Sequence, residues 1–158
     1  MTVLDTSIVG IFKSVCFWSP FLAWTLAQVT KMLCQFTHIR RFDFSYLIST
    51  GGMPSAHSAM VSGLATSTGL MMGFNSPVFD VSLAFAMLVM FDAATVRRAA
   101  GAQARLLNKM VDELFKEHRF SEKRLAELLG HTRLEVFAGM ILGILMALLV
   151  TSVPLLRQ

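Results

Sequence analysis

Four long apolar segments divide this chain, and no other feature limits its fold so strongly. They lie within 11–36 and at 56–74, 78–96 and 136–153. A helix crosses a bilayer with about 20 mostly apolar residues, so each segment has the length of a span. Composition agrees: 54% of residues are hydrophobic and 15% charged, with a mean hydropathy of +0.61. Typical soluble domains have about 45–50% and about 25%. The expected fold is an all-α integral membrane bundle of about four transmembrane helices with short amphipathic surface helices. The 158 residues suit a single domain, 1–158. The N-terminus lacks an early basic region and a small-residue cleavage site, so the first segment is expected to stay as a span.

The segments differ in kind. The first contains Pro20, which kinks the helix or marks its start, and Trp18 and Trp24, which suit interface anchoring or packing. The second is rich in Gly, Ala, Ser and Thr, which let helices approach closely in lipid; it is expected to be the buried centre. Asn75-Ser76-Pro77 reads as a short turn, sending the third helix back antiparallel. Cys16 and Cys34 sit in or beside apolar sequence and read as small apolar filler. The eleven methionines read as packing.

Most of the charge lies in 97–133, a connection expected to be mainly helical and surface-lying. Leu106, Leu107, Met110, Val111, Leu114 and Phe115 recur at helical spacing among charged residues, the pattern of an amphipathic helix. A second short helix is expected from Ser121 to Gly130. With four spans, Lys31, Arg40 and Arg41 fall on the same side as nine basic residues of this connection. That side holds twelve of the 14 basic residues. The positive-inside rule puts it in the cytoplasm.

This alternation also gathers the chemistry. The end of the first helix, both ends of the second-to-third hairpin and the start of the last helix meet on one face. They carry Lys31 and Arg40, Ser55 and His57, Arg97 and Arg98, and His131 and Glu135. In GGMPSAHS, residues 51–58, two glycines permit a tight bend and Pro54 suits the first helical position. Free amides of a first helical turn hold anions, and His57 can carry a proton near neutral pH. In GHTRLE, residues 130–135, His131 and Glu135 share a face if the helix begins near Gly130. A carboxylate on one ring nitrogen fixes the tautomer and raises the basicity of the other. The plainer reading is a helix start whose Glu135 offsets the helix dipole. Arg97 and Arg98 suit a bidentate phosphate clamp or a topology anchor. Asp92, costly in the membrane without a partner, is expected to support the site by pairing with Lys31, Arg97 or Arg98. His38 and His118 read as solvated or interfacial.

GGMPSAHS, FDAATVRRAAGAQA, LLNKM and ELLGHTRLEVFAG together resemble the divergent branch of the type-two phosphatidic acid phosphatase superfamily, related to vanadium haloperoxidases. The resemblance runs from about Gln28 to Gly143. Pro54, Ser55 and His57 match its P-S-G-H motif, with Ala56 in place of Gly. His131 matches the nucleophile of its S-R-x5-H-x3-D motif, and Glu135 replaces the Asp. Lys31 and Arg40 roughly match its first motif, with a longer separation and no following proline. The superfamily arginine six residues before the nucleophile falls at Leu125, and Ala94 and Thr95 stand where the branch commonly has Thr-Gly. The resemblance implies a metal-independent, cofactor-free phosphatase on lipid phosphates. His131 would be the nucleophile, His57 the acid and base, and Glu135 the orienting group. Lys31, Arg40, Ser55, Arg97 and Arg98 would bind phosphate. Lipid-phosphate substrates and membrane lipids are the expected partners, without nucleic acid; the small-residue helix permits a homodimer. The rival is a non-enzymatic protein that binds or moves lipid phosphates.

Overall fold

The computed structural model describes residues 8–39, 52–114 and 131–153; at 8–9, 35–39, 96–98 and 112–114 it describes backbone alone. A short 3-10 helix, Ile8–Lys13, leads into α1 (Val15–Ile39). There follow α2 (Ala56–Met72), α3 (Pro77–Ala94), α4 (Val96–Leu114) and α5 (Arg133–Thr151), with no strand among the described residues. The expected short helix at 121–130 lies outside them.

As its small side chains predict, α2 is the central helix, packed on α1, α3 and α5. Its serines do not leave polar atoms stranded in the interior. Ser62 Oγ donates within 2.7 Å of the Ser58 carbonyl, and Ser67 Oγ within 3.0 Å of that of Leu64. Returning a hydroxyl to the preceding turn is how a buried helix carries serine.

Local contacts set the directions. Along α2, Gly63 meets Ser19 and Pro20 of α1, and farther on Thr68 meets Cys16. Rising numbers on one helix face falling numbers on the other, so α1 and α2 are antiparallel. Against α5, Ser55 and Ser58 meet Gly139, while Ala59 and Ser62 meet Gly143; these two helices run parallel. Pro20 lies inside α1, buried against α2. The α2–α3 turn falls where expected: Ser76 Oγ caps α3 by accepting the Phe79 amide at 3.3 Å, with Pro77 as its first residue.

Two stretches of the described residues are long and apolar enough to cross a membrane, Pro77–Val111 and Arg133–Thr151. The other two helices are more polar because they face inward: Ser19, Gln28 and Lys31 of α1 and Ser58, Ser62, Ser67 and Thr68 of α2 are all buried. On α3 the outer face is apolar and bare, with Val81, Leu88 and Phe91 about 70% exposed (71%, 68% and 69%). Around the start of α1, Phe12, Phe17, Trp18 and Phe21 form an aromatic cluster, and Trp18 Nε1 donates to the Phe12 carbonyl at 2.7 Å. This is the opposite end of α1 from Lys31.

The amphipathic helix starts earlier than its apolar spacing indicated. α3 passes into α4 almost without a break, since the Thr95 amide bonds back to Phe91 and Asp92 and the Thr95 carbonyl accepts from Ala99. Alanines at 99, 100, 102 and 104 favour helix and carry it forward. Leu106, Leu107, Met110 and Val111 are exposed along α4.

Candidate functional site

The start of α5 holds the most telling geometry. His131 Nδ1 lies 2.8 Å from Glu135 Oε2. A carboxylate oxygen only accepts, so Nδ1 is the donor in this bond. His131 is 1% exposed, and its Nε2 is buried without a hydrogen-bond partner among the described residues. Buried polar atoms are rarely left so, and a basic nitrogen held bare is suited to attack or to accept a ligand.

The pairing does not arise along a helix face. The helix begins at Arg133, not near Gly130, and His131 precedes it. Thr132 is the N-cap: its hydroxyl accepts the Glu135 amide at 3.3 Å, and Glu135 Oε2 accepts the Thr132 amide at 3.3 Å. This reciprocal capping box folds the carboxylate back over the helix start, where the same oxygen takes His131 Nδ1. Glu135 Oε2 therefore bonds both to the helix start and to the imidazole. Thr132 went unnoticed in the sequence, although Thr-x-x-Glu is the signal for such a box.

Next to it stands the start of α2. The Ser55 amide donates to the Glu135 carbonyl at 3.0 Å. Ser55 is the N-cap of α2 and fully buried; its Oγ accepts from Ser58 Oγ at 3.0 Å and from the Ser58 amide at 3.4 Å. Pro54 consequently sits before the cap, after a cis Met53–Pro54 bond, and not at the first helical position. With its amide and hydroxyl turned inward, Ser55 holds the loop in place. His57 is half-buried in the first turn of α2.

Lys31, on α1, is 5% exposed. Its stem runs under the loop: a Cβ added at Gly52 would stand 3.2 Å from Lys31 Cγ and 3.4 Å from Cδ. Gly52 also has φ +94°, so that glycine serves both the turn and the lysine beneath it. The fold thus brings Lys31, Ser55, His57, His131 and Glu135 to one end of the bundle. Asp92, half-buried in the last turn of α3, lies toward the same end because α3 returns antiparallel to α2. Arg97 and Arg98 fall in the first turn of α4; their side chains, and Arg40 altogether, lie outside what is described. His38 is described by backbone alone, and His118 lies outside.

Gly139 and Gly143 were also passed over in the sequence. A side chain at Gly139 would collide with the Ser55 carbonyl, and one at Gly143 with Ser62 Oγ and the Ala59 carbonyl. Their small-x-x-x-small spacing, Gly139-Met140-Ile141-Leu142-Gly143, was the available signal.

No solved structure matches the chain. It is 43% identical over 141 residues to "Uncharacterized membrane protein YuiD" of Bacillus subtilis (strain 168), covering 82% of this chain and 89% of that protein. Residues 12–146 match the family described as the Divergent PAP2 family. The match takes in every element from α1 to most of α5, with His57 and His131, and the chain is a PAP2-like membrane protein belonging to the divergent PAP2 family.

Proposed function

We propose that this protein is a metal-independent lipid phosphate phosphatase that works through a phosphohistidine. The observation that carries the reading is the buried Nε2 of His131, without a hydrogen-bond partner among the described residues, on an imidazole whose Nδ1 donates to Glu135. In the first step Nε2 forms a bond to phosphorus while the bond from phosphorus to the lipid oxygen breaks. His57 gives that oxygen its proton, and the lipid alcohol leaves. In the second step water attacks phosphorus, His57 takes a water proton, and the P–N bond breaks to release phosphate. Arg40, Arg97, Arg98, Lys31 and the first-turn amides of α2 offset charge on the equatorial oxygens, with Ser55 holding those amides in position. Asp92 supports the cations. The lipid tail lies in the bilayer, which the apolar outer face of α3 also suits. With four spans, the excess of basic residues on the pocket side supports a cytoplasmic face.

Release of phosphate by the purified protein from a panel of lipid phosphates, with and without chelator, tests the activity. His131→Ala should abolish turnover in a folded protein, and labelled phosphate should be trapped on His131 of the natural protein. Full activity in H131A, or turnover lost to chelator, would reject this mechanism. The departure at Leu125 favours a second reading, a non-enzymatic protein that binds or moves lipid phosphates. It predicts binding without any trapped phosphate.

A further inference from the structure

One face of α1 changes character along its length. Phe17, Phe21, Trp24, Gln28 and Lys31 recur at alternating steps of four and three residues, so they form one line along the helix. At the end far from the pocket this line is aromatic and open. Phe17 and Phe21 stack with ring centres 6.0 Å apart, and Phe21 meets Trp24 at 6.5 Å. Exposure then falls toward the pocket, from 46% at Phe21 and 37% at Trp24 to 8% at Gln28 and 5% at Lys31. There the stem of Lys31 lies under the loop at Gly52. The line starts on the outside of the bundle and ends inside the candidate site.

The neighbouring face of α1 is closed. Ala23 and Ala27 are fully buried together with Ala56 and Ala59 of α2, and Leu142 and Met146 of α5 pack on them. Farther from the pocket, Gly63 lies against Ser19 and Pro20. A seam filled in this way leaves no room for a hydrocarbon chain.

We propose that the aromatic line is the seat of the substrate's tail: a lipid phosphate binds with its head group beside Lys31 and a long hydrocarbon chain laid along Trp24 and Phe21 toward Phe17. This rests on the reading of the pocket as a lipid-phosphate site, and it narrows the tail's place in the bilayer to α1. A phosphate and a buried lysine are complementary in charge and fix the polar end. Gln28 stands where the head meets the chain. The rings supply a broad apolar surface with few rotamers to lose. At 1.5 Å per residue, Phe21 is about 15 Å from Lys31 and Phe17 about 21 Å. An ordinary membrane tail thus reaches Phe21, and a longer one reaches Phe17. The outer face of α3 differs, because Val81, Leu88 and Phe91 are open along its whole length. That face meets bulk lipid and serves as the comparison.

Trp24 reports its own neighbour. The chain has 2 tryptophans, so in Trp18→Phe the fluorescence is that of Trp24 alone. The probe is a long-chain alkyl phosphonate brominated midway along the chain. Bromine quenches a ring that it touches, and carbon in place of the scissile oxygen prevents hydrolysis. The control is the same brominated chain ending in an alcohol. With the protein in lipid vesicles, the phosphonate should quench Trp24 at about tenfold lower mole fraction than the alcohol, and an unbrominated phosphonate should reverse the quenching. In W18F/W24F/F91W, whose reporter stands on α3, the two probes should quench alike. Equal quenching of Trp24 by both probes overturns the proposal. So does a preference for the phosphonate on α3 as large as that at Trp24.

Turnover gives a second arm, since Trp24 and Phe21 touch none of the groups assigned to the chemistry. Trp24→Ala should lower kcat/KM for a long-chain lipid phosphate about tenfold and leave that for a short, water-soluble alkyl phosphate within about twofold. Leu88→Ala should leave both within that range, and Phe21→Ala repeats the test should W24A accumulate poorly. An equal fall for long and short substrates would make Trp24 a support of the fold and overturn its contact with the tail. Phosphate release together with equal quenching would leave the phosphatase standing and remove the seat on α1. If no lipid releases phosphate, the phosphatase reading fails on its own, and the quenching still decides where the chain lies.

Discussion

The backbone amide of Ser55 is bonded to the backbone carbonyl of Glu135 at 3.0 Å. This bond joins two motifs that are distant in sequence, one before α2 and one at the start of α5. Because it uses main-chain atoms, it depends on how closely the two helices approach and not on either side chain. The position of His57 relative to His131 is therefore governed by the seam between α2 and α5, where Gly139 faces Ser55.

Gly139→Ala tests that dependence. The added methyl collides with the Ser55 carbonyl, and backbone cannot swing aside as a flexible side chain would. Overpacking of this kind costs about 1–3 kcal/mol, to be read as a lower unfolding temperature in detergent. The two helix starts should separate, so turnover should fall even in protein that remains folded at the assay temperature. Natural stability and turnover in G139A would mean that the seam is looser than its geometry indicates.

Glu135→Asp restores the residue that the wider superfamily uses, yet in this chain it should impair function. Glu135 reaches back from the third helical position to both Thr132 and His131 through one oxygen. An aspartate is one methylene shorter and leaves the imidazole without its partner. The expected result is a fall in kcat of about tenfold or more with KM nearly unchanged. Thr132→Ala is the comparison: it removes the cap at a cost of about 0.5–2 kcal/mol while leaving the carboxylate in place for His131. If E135D and T132A lose the same stability and neither loses kcat, Glu135 is a cap alone.

The residues that were legible in the sequence are those whose signal is local. The small side chains of α2 announced a central helix, and Asn75-Ser76-Pro77 announced the turn that follows it. His131 and Glu135 were read as partners from their spacing alone. Their manner of pairing was misjudged because a helix start depends on which side chain captures the first amides, and Thr132 does so two residues after Gly130. Ser55 displaced Pro54 from the first helical position for the same reason. The stem of Lys31 under Gly52 was not legible at all. It joins residues of separate elements, and only the antiparallel register of α1 and α2 brings them together. Arg97 and Arg98, expected at the end of a membrane helix, fall just beyond α3 and open α4.

The last prediction concerns which side of the membrane the pocket faces. Asn75, in the α2–α3 turn, and Thr132, at the start of α5, are both exposed. They lie at opposite ends of the bundle, since α2 and α5 start together while the turn follows the far end of α2. With Cys16 and Cys34 replaced by alanine, single cysteines at Asn75 and Thr132 report the two faces. If the twelve basic residues assigned to the pocket side follow the positive-inside rule, that side faces the cytoplasm. A membrane-impermeant maleimide added to intact cells should therefore label N75C and spare T132C, and opening the membrane should expose T132C. The reverse pattern would put the histidines outside, where a lipid phosphate of the outer leaflet would be the substrate to seek. Labelling of both in intact cells would show that the bundle does not separate the two faces, and the charge argument for its orientation would fall with it.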